Sequence, residues 1–517
     1  MTQCRVIGRS IEAFYEVDVL QLLGDHAHCV KTKLHQKMKN FFLALSIVCV
    51  VGATNQPVKA YERLNLPSMG EPADQVMSSR QEKALGRGFM RQIRQHLKLV
   101  DDIELNEFIQ RTGENLLASR YDINPQDFTF FVVENPGINA FAIPGGFIGI
   151  NSGLITSANN EAQVASVMAH EIAHVTQRHI ARLYASQGNT GLKAAATILA
   201  AILLSQQSPE AGQAALLTGL AASQQSAINF TRTHEYEADR IGIQLLSEAG
   251  YNPRSMVDFF EILRRRTSLS GTEQLEFLRT HPLTTNRISE AKNNSARLNN
   301  PTGIQDSVEF QLQQMKLKVL HATDPRGMAR ALEGGHISKS ESARLYGRIT
   351  LHLNAGEAQK SEPLVRKLLE LQPGSSAVKL LAARVARDTG NPARAERLYG
   401  EIINYQPDNY AATEQYLDML GIQGRSDRAE QVIRSYLRNN RQPAPGVFRK
   451  YASVLRTKGQ KVAAHEAMAD YFLLIDEDRE AVAQLEIALK SAKQDSNEES
   501  RIAARITETR KRLRGTF

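Results

Sequence analysis

Residues 167–177 read VMAHEIAHVTQ and contain the pattern His170-Glu171-x-x-His174. Apolar residues recur with helical periodicity over residues 160–183, so the pattern lies on a predicted helix. Residues four apart share one helical face, so both imidazoles can reach one metal ion. Glu171 is rotated by about 100° from His170 and can reach a water on the metal without being a ligand. The stretch therefore predicts a zinc hydrolase with Glu171 as the general base.

A catalytic zinc site needs a third protein ligand, and residues 232–242 (RTHEYEADRIG) offer one. Glu235 and Asp239 lie four apart on one helical face, whereas Glu237 is expected to point away. We expect Glu235 to bind the metal and Asp239 to complete the catalytic set by accepting a hydrogen bond from a ligand histidine. His179, five residues beyond His174, is expected to face elsewhere and to have a structural role.

His281-Pro282 lies in a break between helical stretches and is followed by Arg287. A three-ligand zinc site leaves its fourth position open. His281 is therefore a candidate fourth ligand that keeps the enzyme inactive until its loop moves. Two alternatives stay open: His281 is a structural loop histidine, or His281 or Arg287 stabilises the oxyanion of the reaction.

The chain around these motifs predicts a mostly helical α+β domain with a small sheet over residues 61–300. Residues 128–133 (FTFFVV) are dense in β-formers, and residues 140–150 (AFAIPGGFIGI) form two short strands around Pro144-Gly145-Gly146. Helical patterns cover residues 81–119, 160–183, 227–249 and 253–298, with a break at His281.

A period of 34 residues appears from about residue 343 onwards. Gly356, Gly390 and Gly424 are 34 apart, Gly459 follows at 35, and Pro373 and Pro407 are again 34 apart. This is the tetratricopeptide period, with two helices per unit and a turn near the glycine. It predicts an all-α solenoid over residues 343–517, with four units over 343–478 and a helical cap. Residues 301–342 are expected to be linker helices.

The N-terminal sequence has the pattern of an export signal. Lys37 and Lys39 precede an apolar run at 41–51 and two small-residue cleavage sites, so 38–60 is a predicted signal peptide and 1–37 an upstream extension. The run is short for a membrane span, which makes a retained anchor the lesser alternative. Cleavage after Ala53 or Ala60 would leave a mature chain without cysteine, because the three cysteines all precede it: Cys4, Cys29 and Cys49.

Charge and hydropathy narrow the possible partners. The net charge of +8 is modest for 517 residues, and no nucleic-acid motif accompanies it, so no nucleic-acid partner is expected. The apolar segment 192–204 is too short to cross a bilayer and is predicted to be a buried helix. Peripheral docking of this segment on a membrane or partner is the alternative.

The order of four stretches resembles the HtpX-like zinc metallopeptidases, the family that includes the CAAX prenyl endopeptidase. The stretches are NAFAIPGGFIGINSGLI (139–155), HEIAHVTQRH (170–179), EYEADRIG (235–242) and THPLTTNRI (280–288). The resemblance implies a zincin-like fold and one Zn²⁺ per chain, bound by His170, His174 and Glu235. Glu171 would be the catalytic base and Asp239 would support a ligand.

The resemblance also implies a substrate site and a pathway. The stretch from 139 to 150, beginning with Asn139, Ala140 and Phe141, would be an edge strand that binds unfolded substrate by β-addition. Together with the predicted export signal and repeat tail of this chain, the resemblance implies a periplasmic endopeptidase. It would degrade misassembled outer-membrane β-barrel proteins, assist their assembly, and contact the barrel-assembly machinery. The alternative is a chaperone or scaffold that acts mainly through the repeats; a zinc-free pseudoenzyme is disfavoured because every expected ligand is present.

Overall fold

The computed structural model describes residues 77–121, 123–185, 224–269, 276–298, 303–492 and 496–514. The predicted extension (1–37), the signal peptide (38–60), the three cysteines and the apolar segment 192–204 lie outside the described residues. Within the described ranges, no helix combines the length and the apolar character needed to cross a membrane. We refer to residues 77–298 as the N-terminal region and to residues 303–514 as the repeat region.

The N-terminal region is mostly helical and contains one three-stranded sheet, as the sequence predicted. In chain order, its described elements are α1 (Ser79–His96), α2 (Ile103–Leu117), a 3-10 turn (Pro125–Asp127), β1 (Thr129–Val133), β2 (Ala140–Ile143), β3 (Phe147–Asn151), α3 (Ser152–Ser157), α4 (Glu161–Thr176), α5 (His179–Ala185), α6 (Gln224–Glu248), α7 (Ser255–Leu269), α8 (Glu276–Thr280) and α9 (Thr285–Leu298).

The sheet has the order β1-β3-β2, so β3 is its central strand. β3 runs parallel to β1 and antiparallel to β2, to which it is joined by a turn with positive φ at Gly145 and Gly146. The resemblance implied one edge strand over residues 139–150. That expectation is wrong for β3, which pairs on both sides, and holds for β2 alone.

Helix α4 carries the HExxH pattern and is buried along most of its length. It packs against α6, α7 and β2. A Cβ on Gly242 of α6 would lie 3.1 Å from the His170 nitrogen and 3.2 Å from the Ala169 carbonyl carbon, so the two helices cross closely at this point. Asp239 and Glu235 lie about one and two turns before Gly242 on the same face of α6, and the crossing therefore brings them to α4.

Two of the predicted helices are interrupted in the structure. The predicted helix 81–119 is α1 and α2, because Leu99 forms a bridge with Val133 and Asp102 caps a new helix. The predicted helix 160–183 is α4 and α5, which are separated by Arg178 in the left-handed region with φ +52°. The second interruption changes the direction of the chain just after the HExxH pattern.

The repeat region is an all-α array of helix pairs, and this confirms the predicted fold class. Gly356, Gly390, Gly424 and Gly459 all have positive φ between the two helices of a pair, where the 34-residue period placed turns. The predicted linker helices are present as the first pair. The helices are α10 (Val308–Leu320), α11 (Pro325–Glu333), α12 (Glu341–Asn354), α13 (Ala358–Leu371), α14 (Ser376–Asp388), α15 (Pro392–Tyr405), α16 (Tyr410–Ile422), α17 (Ser426–Asn439), α18 (Pro445–Thr457), α19 (Lys461–Leu474), α20 (Asp478–Ser491) and α21 (Ser496–Arg514).

The two regions belong to one compact unit and contact each other at several places, among them the following two. The Glu107 carboxylate of α2 accepts hydrogen bonds from the backbone N–H groups of Tyr410 and Ala411, at the start of α16. At the far end of the array, Arg87 of α1 lies 3.3 Å from Asp476 in the turn between α19 and α20. The predicted domain boundaries at residues 300 and 342 stay predictions.

Candidate active site

Four side chains from three parts of the chain converge on one point. They are His170 and His174 of α4, Glu235 of α6 and His281 just after α8, and each offers a ligand atom within 4.8 Å of the others. The Nε2 atoms of His170 and His174 are 3.0 Å apart, and Nδ1 of His281 lies 3.0 Å from Oε1 of Glu235. The structure thus brings together every predicted ligand, including the candidate fourth one.

This donor set fits a divalent metal ion. Among the described residues it is the one cluster of histidine, cysteine or carboxylate side chains with such spacing. Imidazole nitrogens and one carboxylate oxygen are the ligands of catalytic zinc sites, and transition metals in general accept them. The residues are buried or nearly so, which holds the donor atoms close together away from bulk water.

Glu171 lies beside the cluster and is not part of it. Its side chain is buried, and Oε1 lies 3.5 Å from Nε2 of His281 without a hydrogen-bond partner among the described residues. Burial raises the pKa of Glu171, whereas the charges of His281 and His170 act to lower it. A carboxylate with a raised pKa and a free oxygen next to a metal site suits a general base.

A buried ionic group supports His170 from behind. Oδ1 of Asp239 lies 3.0 Å from Nδ1 of His170, on the side of the ring that faces away from the cluster. Arg287 holds both Asp239 oxygens at 2.8 Å through Nε and one terminal nitrogen, and its other terminal nitrogen lies 2.8 Å from Oε2 of Glu235. Burial alone would lower the pKa of His170, but Asp239 and Glu235 outweigh it and raise that pKa to about 10.

These contacts define what Asp239 and Arg287 do. Asp239 touches a ligand histidine and not the centre of the cluster, so it positions His170. The Arg287 guanidinium is buried and bound to two carboxylates and to the Pro282 carbonyl oxygen. These contacts occupy four of the five N–H groups of Arg287, which argues against the alternative that it stabilises an oxyanion.

His179 and Glu237 lie on the Nδ1 side of the His174 ring, away from the converging ligand atoms. Nδ1 of His179 is 2.9 Å from Nδ1 of His174, and Nε2 of His179 is 3.2 Å from Oε2 of Glu237. The His179 ring also stacks on His234 with centroids 4.1 Å apart, and burial lowers the pKa of His179 to about 4. Glu237 lies outside the converging donors, as expected, and contacts His179 instead. The expectation that His179 faces elsewhere is wrong, because it assumed a continuous helix, whereas the left-handed Arg178 turns the chain back toward His174.

The edge strand β2 presents backbone groups to the site. The Asn139 carbonyl oxygen accepts a hydrogen bond of 2.9 Å from the Asn151 N–H, so the backbone of Asn139, and by alternation that of Phe141, faces β3. The backbone of Ala140 and Ala142 then faces outward. The Ala142 N–H donates a hydrogen bond to the Glu171 carboxylate, which acts to lower the pKa of Glu171. Of the three residues named from the sequence, only Ala140 has its backbone turned away from β3, and Ala142, within the predicted stretch 139–150, shares this orientation.

Comparisons with known proteins identify the family of the chain. The family model of peptidase family M48 matches residues 104–295 of this chain, a range that includes every residue of the site. The chain is 30% identical to the beta-barrel assembly-enhancing protease of Escherichia coli over 92% of its own length and 97% of that protein. A putative protease of the same name from Vibrio cholerae is 33% identical over 64% of this chain and 68% of that protein.

A further relative matches a shorter part of the chain. The mitochondrial metalloendopeptidase OMA1 of Arabidopsis thaliana is 34% identical over 29% of this chain and 28% of that protein. The converging donor set, the buried glutamate and the near full-length match to a protease lead to one conclusion. The chain belongs to peptidase family M48 and, within it, to the metalloproteases of the beta-barrel assembly-enhancing type.

Proposed function

We propose that the chain is a zinc-dependent endopeptidase of the periplasm that degrades misassembled outer-membrane β-barrel proteins and assists their assembly. The observation that carries the proposal is the convergence of His170, His174 and Glu235 beside the buried Glu171. Two nitrogens and one oxygen from the protein are a ligand set of zinc peptidases, which supports zinc over other divalent metals.

The residues of the site divide the work of peptide hydrolysis. Zinc, when bound, supplies a Lewis acid that polarises the scissile carbonyl and acidifies water. Glu171 accepts the proton of the attacking water and then delivers it to the leaving nitrogen. The outward backbone groups of Ala140 and Ala142 hold the substrate extended beside Glu171 by adding a strand to β2. Asp239 and Arg287 keep His170 and Glu235 in place.

The conservative variant Glu171→Gln tests this assignment. It should retain bound zinc, because Glu171 is not a ligand, and lose about 10²- to 10⁴-fold in the rate of cleavage. The measurement is cleavage of an unfolded β-barrel protein by the purified full-length chain, together with its zinc content. Glu134→Gln, in a surface ion pair with Lys98, is the matched control and should cleave at the wild-type rate. Undiminished cleavage by Glu171→Gln would refute the role of Glu171.

His281 is proposed to restrain the enzyme. Its Nδ1 lies 3.3 Å from Nε2 of His170 and 3.0 Å from Oε1 of Glu235, so it competes for the position that a water or substrate needs. The stacking of His281 on Phe277, at 4.8 Å between centroids, keeps it there. His281→Ala should therefore cleave an unfolded protein faster than the wild type. An equal or lower rate at equal zinc content would contradict the restraint.

The proposed substrates and compartment rest on two observations. The chain matches nearly the full length of a protein named for enhancing β-barrel assembly, and residues 38–60 have the sequence pattern that predicts an export signal. Fractionation of cells should recover the protein in the periplasm. A comparison of outer-membrane proteomes between cells with the wild-type chain and cells with Glu171→Gln should reveal misassembled barrel proteins that accumulate only with the variant.

A scaffold function of the repeats is the second candidate. Leu371, Tyr405 and Leu474 each end the second helix of a pair, and all three are exposed, Tyr405 to 82%. Stacked repeats place equivalent positions along one edge, so these side chains suit the binding of an unfolded client or of the barrel-assembly machinery. Tyr405→Ser with Leu474→Ser should weaken client binding while a short unfolded peptide is still cleaved. Barrel assembly that is fully supported by Glu171→Gln would make the scaffold role dominant.

A further inference from the structure

The group behind His174 forms a chain of contacts that ends outside the metal site. It runs from His174 to His179, from His179 to Glu237, and from Glu237 to Arg182, with separations of 2.9, 3.2 and 2.9 Å. The side chain of His179 is only 3% exposed, whereas those of Glu237 and Arg182 are 23% and 35% exposed. The contacts therefore connect the buried cluster to groups near the surface.

The donors and acceptors in this series of contacts fix which ring nitrogen of each histidine carries the proton. The Glu237 carboxylate only accepts, so the proton between it and His179 lies on Nε2 of His179. A neutral His179 then offers a lone pair at Nδ1, and the proton between the two imidazoles lies on Nδ1 of His174. This leaves the Nε2 lone pair of His174 free, and Nε2 is the atom that faces His170 and Glu235.

We propose that His179 is a positioning residue of the metal centre, which fixes the ring and tautomer of His174 with the help of Glu237. The inference rests on the metal-dependent part of the proposed function. Helix α6 supports both ligand histidines, since Asp239 reaches His170 from one face while His234 and Glu237 hold His179 from another. The left-handed turn at Arg178, held by Glu82, returns the chain so that His179 can reach His174.

Two substitutions of His179 separate positioning from packing. His179→Phe keeps a ring to stack on His234 but removes both hydrogen bonds. His179→Gln loses the ring, but its amide can accept from His174 and donate to Glu237. The readout is the zinc dissociation constant of the purified full-length chain, measured by competition with a chelator. The loss of a group that orients a metal ligand typically weakens metal affinity about 10- to 100-fold.

We expect this loss for His179→Phe and partial recovery for His179→Gln. Glu237→Gln should weaken zinc binding by a smaller factor, and the cobalt-substituted His179→Phe protein should show an altered visible spectrum. His96→Gln, at the exposed end of α1, is the matched control and should leave affinity unchanged. Zinc binding by His179→Phe within twofold of the wild type, or by His179→Gln more weakly than by His179→Phe, would overturn the inference. A wild-type chain without bound zinc would instead overturn the proposed function.

If His179→Phe does not fold, Glu237→Gln decides the matter, because its carboxylate is partly exposed and its loss leaves the core intact. Unchanged zinc affinity in a folded Glu237→Gln chain would then refute the relay from Glu237 to His174. A reproducible decrease that is absent in His96→Gln would support it.

Discussion

The N-terminal region and the repeat region are both helical, but different kinds of contact specify them. In the N-terminal region, side chains far apart in sequence meet once, as Asp239 and Arg287 do in a buried ion pair. In the repeat region, the same local turn recurs at Gly356, Gly390, Gly424 and Gly459. A unique set of distant contacts gives one precise site, whereas a repeated set of near contacts gives an extended surface.

The difference also determines how many neighbouring contacts a destabilising substitution affects. Loss of one partner in the buried network leaves charges without compensation at the metal site itself. Loss of one repeat contact affects mainly that unit and its neighbours, because each unit packs only on adjacent ones. Substitutions of matched chemistry in the two regions should therefore differ in size and in reach.

The largest effect is expected for Arg287→Ala. Removal of this guanidinium deprives the buried carboxylates of Asp239 and Glu235 of their arginine partner, which costs about 3–5 kcal/mol. Thermal unfolding of the purified chain should show a clear loss of stability, together with weaker zinc binding. Arg254→Ala, whose ion pair with Asp258 on α7 is exposed, is the control and should change stability by less than about 1 kcal/mol. Equal melting temperatures for the two variants would contradict the larger contribution of the buried Arg287 contacts.

A smaller change in the free energy of unfolding is expected at a repeat turn. Its sign should be opposite for alanine at two neighbouring glycines. Gly424 has a φ of +68°, so Gly424→Ala forces alanine into the left-handed region at a cost of about 1–2 kcal/mol. Gly421 lies three residues earlier within α16, where Gly421→Ala should stabilise the chain by up to about 1 kcal/mol through helix propensity. Denaturant unfolding measures both. Zinc affinity and peptide cleavage should stay at wild-type values, and a change in either would show that the repeats act on the site.

The smallest effect is expected where the far end of the repeats touches α1. Asp476→Asn removes the charge that pairs with Arg87 and Arg512 but keeps a side chain that tolerates the positive φ of this position. Partly exposed ion pairs contribute about 1 kcal/mol or less. The melting temperature should fall only slightly relative to the control Asp427→Asn, which is 88% exposed. A large decrease would show that this contact contributes strongly to joining the two regions.

The sequence predicted most of the fold because its signals are local. Helical periodicity located α4 and α6, and the glycine period located the repeat turns. The HExxH spacing identified two ligands, and the pair Glu235 and Asp239 identified the supporting helix. These features need only the geometry of a single helix, which a single sequence reveals.

What could not be predicted depends on changes in chain direction and on long-range packing. The positive φ of Arg178 has no sequence signal comparable to a glycine, so the return of His179 to His174 was missed. The role of Arg287 required the crossing of α6 with α9 to be known. The strand order β1-β3-β2 likewise left open which residues of 139–150 face the site.

The metal content of the purified full-length chain, measured by elemental analysis alongside His174→Ala, tests the assignment of the zinc site. We expect one zinc per wild-type chain and a large loss of zinc in the variant, because Nε2 of His174 is one of the converging donors. A wild-type chain that cleaves protein without any bound metal, or a His174→Ala chain with full zinc content, would contradict this assignment.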